Sequence, residues 1–108
     1  MSTFTIHKGD TSPAIEAVLR NNDSSPRDLR EASVEFRMTN RSGEDVISSG
    51  AGIVDAIAGV VAYEWKSGET DVSGVYRASF TAIFPDGSIE TFPNSGSIRV
   101  HVSSGAGG

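Results

Sequence analysis

The chain has no cysteine. That removes disulfides and thiolate metal sites, and it is compatible with synthesis in a reducing cytosol. Basic residues are also scarce: 9 Lys and Arg stand against 14 Asp and Glu, giving a net charge of −5. Counterion release from a phosphate backbone needs clustered Lys and Arg, so nucleic acid is not an expected partner. No stretch approaches the roughly 18 consecutive apolar residues of a membrane-spanning helix, so no membrane insertion is expected. Met1 to Lys8 alternate as a strand does, without a basic region followed by an apolar one, and no signal peptide is expected there. Helical periodicity is missing too. The nearest candidate, Ser25 to Ala32, carries the single apolar Leu29 in its charged centre and reads as a loop with Leu29 turned inward.

What is present is period-two alternation. Phe4 and Ile6 alternate with Thr3, Thr5 and His7; Ile15, Ala17 and Leu19 with Glu16, Val18 and Arg20; Val34, Phe36 and Met38 with Glu35, Arg37 and Thr39. Val61, Tyr63 and Trp65 oppose Ala62, Glu64 and Lys66. Tyr76, Ala78, Phe80, Ala82 and Phe84 oppose Arg77, Ser79, Thr81 and Ile83 in what reads as the longest, central strand. A tight turn at Pro85-Asp86-Gly87 returns the chain through Ser88 to Phe92, and Pro93-Asn94 interrupts it. Ile98, Val100 and Val102 then form a last strand with Arg99, His101 and Ser103 outward. Asp45 to Ser48 reads as a short strand, Ser49-Gly50-Ala51-Gly52 as a flexible link and Ile53 to Asp55 as a brief edge strand.

Regular turn signals between short alternating segments predict an all-β fold, a single Ig-like antiparallel β-sandwich of about seven to nine strands. The sandwich is expected over residues 1–103, with residues 104–108 a flexible Gly-rich tail. Asp71-Val72-Ser73-Gly74-Val75-Tyr76 sharpens the prediction, because an Asp-x-x-Gly-x-Tyr corner ties a tyrosine hydroxyl back to the preceding loop. Asp71, Gly74 and Tyr76 are the expected corner. Phe36, Tyr63, Trp65 and Phe80 share faces with inward aliphatics and are expected in the core.

The search for chemistry is mostly negative. His7 and His101 fall on the outward sides of the first and last strands, without a Cys, Asp or Glu at ligand spacing. No serine sits in a Gly-x-Ser-x-Gly elbow. Asp10, Asp23, Asp55, Asp71 and Asp86 lie in turns, where they cap neighbouring amides, and Gly50-Ala51-Gly52 does not lead from a strand into a helix. No catalytic, cofactor-binding or metal-binding residues are therefore expected, and the chain reads as a non-enzyme. Docking is the remaining activity: an exposed sandwich edge offers unpaired backbone groups, and Phe4, Ile6, Ile98 and Val100 mark the candidate edge. Val18, Ile83 and Ile89 on outward faces read either as a contact patch or as scattered aliphatics. Two rivals have stated requirements. A carbohydrate-binding adhesion module needs exposed aromatics, and a small hydrolase needs a cleft holding His7 or His101 beside a serine and a carboxylate.

Several segments together resemble a known family. They are Phe4-x-Ile6-x-Lys8-Gly9-Asp10-Thr11-Ser12-Pro13, Asp28-Leu29 through Met38, Gly59-Val60-Val61-x-Tyr63-x-Trp65, Gly74-x-Tyr76-x-Ala78-x-Phe80, and Phe84-x-Asp86-Gly87 through Thr91-Phe92-Pro93-Asn94. In that order they look like the N-terminal domain of the phage baseplate upper protein family. The resemblance implies an Ig-like virion component of a tailed bacteriophage, made in the host bacterial cytoplasm and docked on other virion proteins. The chain lacks the coiled-coil and receptor-binding extension of longer members. That departure favours a capsid decoration protein, monomeric or homo-oligomeric on the major capsid lattice, over a tail or baseplate accessory protein.

Overall fold

Strands form wherever apolar side chains recur at every second position, because that spacing puts them all on one face of a pleated chain. The computed structural model describes residues 3–93 and 97–104 and contains eight strands. They are β1 (Thr3–His7), β2 (Ile15–Val18), β3 (Ser33–Thr39), β4 (Asp45–Asp55), β5 (Val60–Tyr63), β6 (Gly74–Ile83), β7 (Ile89–Phe92) and β8 (Ile98–Ser103). Hydrogen-bonded neighbours follow the order β1-β8-β6-β3-β4-β5-β2, with β7 also on β6. β8 takes the first half of β6 and β7 the second, on the same side. All pairings are antiparallel except β1 with β8, which is parallel. The fold is thus an all-β, eight-stranded, nearly closed Ig-like sandwich.

β4 makes the two layers one. The sequence divides this region into a short strand, a flexible link and an edge strand, whereas the chain runs as one strand of 11 residues, longer than the 10 of β6. Its first part pairs with β3, Val34 opposite Ala51, and its last part with β5, Gly52 opposite Ala62. Ser49, Ala51 and Ile53 turn inward while Gly50 and Gly52 face out. Glycine weakens the local strand signal. Ladders on both layers supply the order that the side chains do not, and a shifted register between Ile53 and Asp55 marks the corner.

A second difference concerns the edges. β8, expected as an edge alongside β1, lies between β1 and β6, and its Val100 is fully buried. The outer strands are β1 and β2, at the two ends of the order, and β7, which pairs with β6 alone. Between the layers Phe36 stacks on Tyr63 with centroids 4.4 Å apart, and Trp65 meets both edge-on at 5.7 Å. Phe80 packs against Phe36 at 5.1 Å, and Leu29 is buried from its loop. Burying an aromatic or large aliphatic side chain contributes about 1.5–3 kcal/mol each, so this cluster governs stability. The polar ends of its rings are satisfied: Trp65 Nε1 donates to the Pro13 carbonyl at 3.1 Å, and the Tyr76 hydroxyl donates to the Val72 carbonyl at 2.6 Å. Gly74 enters β6 with φ of 151°, and Asp71 is exposed at the start of that corner. From Gly105 onward the Gly-rich tail lies outside the described residues, as does Asn94.

Candidate functional site

A sandwich whose layers share a strand on one side is open on the other, and a concavity lies along that open side. It is a groove of about 960 Å³ between β2 of the small layer and the facing ends of β1, β7 and β8 of the large one. Ile15, Leu19, Phe80 and Phe92 are the buried apolar residues that line it. Phe4, Ala17 and Ile98 contribute half-buried apolar surface, and Glu16 and Arg20 are exposed at it. Only one side of β2 is paired, to β5, so its other backbone edge is not covered by a strand. The opposite wall includes Phe92 and Pro93 at the end of β7 and Ser97 and Ile98 at the start of β8. The groove thus combines apolar side chains with a strand edge.

Of the candidate docking residues, Phe4 and Ile98 line this groove. Ile6 and Val100 are buried in the core and do not line it. The open β2 edge went unnoticed in the sequence, because alternation reveals a strand but not its neighbours. Val18 and Ile89 are exposed, at 41% and 64%, and Ile83 is half-buried.

The histidines do not form a reactive centre. His101 stands opposite Thr5 in the β1–β8 ladder, and His7 stands opposite Ser103. His7 Nδ1 and Ser103 Oγ share a hydrogen bond of 2.8 Å, and among the described residues neither is hydrogen-bonded to a carboxylate. A serine needs a base that is itself oriented in a site excluding water; this pair lies on an exposed strand face. No three His, Cys, Asp or Glu side chains cluster among the described residues.

One polar cluster reaches the core. The Tyr63 hydroxyl donates to the Glu69 carboxylate at 2.7 and 2.8 Å, Lys66 N–H donates to the same carboxylate at 2.7 Å, and Lys66 Nζ donates to Ser49 Oγ at 2.9 Å. Burial, reinforced by the hydrogen bond to Glu69 and its charge, pushes the Tyr63 phenol well above the usual tyrosine value. A phenol held protonated in this way closes the 66–69 turn over the core. It is not available as a base.

No family model matches this chain, and no curated protein matches it. Among solved structures it is similar to the crystal structure of CopC from Methylosinus trichosporium OB3b, with a TM-score of 0.53 and 14% identity over 96% of this chain and 86% of that one. At that identity the likeness establishes the fold alone, a CopC-like Ig-like sandwich. It corrects the resemblance to the phage baseplate upper protein family, and the virion function and virion location fall with it. The physical reason lies in the residues that carried the resemblance. Gly9 and Gly87 take positive φ in turns, and Tyr63, Trp65, Tyr76 and Phe92 fill the core. Any sandwich of this layout asks for such residues. The carbohydrate-binding alternative also loses its platform, since Trp65 is 4% exposed.

Proposed function

We propose that the chain is a non-catalytic recognition module that accepts an extended peptide segment of a partner protein along the β2 edge. The observation that supports this is the groove itself: an apolar trough of about 960 Å³ runs beside a strand edge that no other strand covers. An extended segment is the occupant whose chemistry matches both features, because its backbone pairs with the edge while alternate side chains enter the trough. β2 has four residues, so the paired portion of the guest is short and its affinity modest.

Metal binding is the other reading, raised by the likeness to CopC, a copper resistance protein by name. The donor set here does not fit it. The chain has no cysteine, its two histidines stand at different rungs of the β1–β8 ladder, and no third ligand joins either among the described residues. No metal chemistry is derived from these residues.

The test is an NMR titration with a soluble peptide of alternating Val and Thr flanked by lysines. Recognition at the groove predicts shifts at residues 3–4, 15–19 and 97–98, slowed amide exchange within β2, and loss of both in Ala17→Glu. Absence of shifts at millimolar peptide, or shifts that map elsewhere, would sink the proposal.

A further inference from the structure

The exposed face of the large sheet, on the side opposite the small layer, carries an arrangement that the fold does not use. In the β6–β8 ladder Arg77 stands directly opposite Arg99, and both are exposed. Like charges directly opposite one another destabilise a sheet. The chain has 14 carboxylates, yet neither arginine forms an ion pair or side-chain hydrogen bond among the described residues. The third arginine of this face shows the contrast: Arg37, opposite Ser79 on β3, is neutralised by Asp45 at 2.7 Å. Along the same rung Thr3 flanks Arg99 and Thr39 flanks Arg77, so hydroxyls border the guanidinium pair on both sides.

We propose that Arg77 and Arg99 form a recognition site for neighbouring carboxylates of an acidic protein segment. Guanidinium groups bind carboxylates bidentately, and the antiparallel rung sets the backbones that carry two of them side by side. Charge complementarity selects the partner class. The backbone amides of this face are engaged in the β-ladders, so it offers no amide cradle for phosphate, and the aromatic ring beside Arg99 on β8 is the His101 imidazole.

The test measures binding of a fluorescent decaglutamate peptide, with inorganic phosphate and sulfate as competitors and thermal unfolding in parallel. The site predicts binding that weakens as salt rises, a loss of tenfold or more in Arg77→Gln/Arg99→Gln, and no change in Arg30→Gln, which lies on a distant loop. Each single neutralisation is also expected to hold or raise the melting temperature, because it relieves the opposed charges. An unchanged affinity in the double variant overturns the site. Phosphate or sulfate displacing the peptide at equal concentration of charge overturns the acidic-segment assignment. A melting temperature that falls in both single variants shows instead that the arginines serve the fold.

Discussion

Gly59 is where three backbone segments meet. Leu19 N–H donates to the Gly59 carbonyl at 2.8 Å, and Arg27 N–H donates to the Leu19 carbonyl at 2.8 Å. With φ at +71°, a Cβ on residue 59 would lie 2.6 Å from the Leu19 carbonyl oxygen and 2.8 Å from that of Arg27. Gly87 has a similar φ of +88° but open space around it. The pair separates conformational strain from collision. Gly87→Ala is expected to cost about 1 kcal/mol, the strain of a left-handed residue, whereas Gly59→Ala adds a backbone clash and is expected to cost about 3 kcal/mol or more. Urea unfolding of the two variants decides it, and equal costs would contradict the contact geometry. Tyr63 supplies a second prediction. Unfolded tyrosine ionises near 10, and the folded phenol ionises higher. Its contribution to stability is therefore complete below pH of about 10 and is lost as pH climbs above that value. Tyr63→Phe should be less stable than the parent at neutral pH, and the gap should narrow in urea unfolding above pH of about 10. A gap that stays constant would mean that burial does not bias the phenol toward its protonated form.

At the scale of elements, register rests on turns as much as on strands. The link from β3 to β4 is held by Asn40, whose side-chain oxygen accepts from Ser42 N–H at 2.9 Å and Glu44 N–H at 3.0 Å. Asn40→Ala should cost about 1 kcal/mol for these bonds together, read as a lower urea midpoint with unchanged slope. An unchanged midpoint would show that the ladder alone fixes the turn. This is also the scale at which the sequence was most and least legible. β1, β3, β6 and β8 each carry apolar residues at every second position with polar ones between, and their faces could be read without the structure. β4 could not be read, because Gly50 and Gly52 occupy the outward positions where polar side chains would have shown the alternation. Nor could the pairing partners be read. The parallel seating of β1 on β8 buries Val100 and leaves the free edges to β1, β2 and β7. A strand's own residues do not encode which strand lies beside it, so Phe4 and Ile98 reached the groove while Ile6 and Val100 did not.

For the whole molecule, the likeness to CopC covers nearly the full chain at 14% identity and transfers an architecture without transferring a site. Folds recur with unrelated functions because the core and turns that define them leave the surface free to vary. Metal binding puts that separation to a direct test. A ligand bound only by the folded state stabilises it by about 2.7 kcal/mol when present at a hundredfold excess over its dissociation constant. For a domain near this size, that corresponds to a rise in melting temperature of roughly ten degrees or more. Copper(II) or zinc(II) added in slight molar excess to the purified protein is expected to leave the melting temperature unchanged. His7→Ala and His101→Ala should behave as the parent does, because His7 is engaged by Ser103 and His101 faces Thr5 on an open sheet surface. A clear rise that disappears in either variant would mean that the two rings converge on a metal after all. The function would then lie on the outer face of β1 and β8, and the groove at β2 would be no more than the open side of the sandwich.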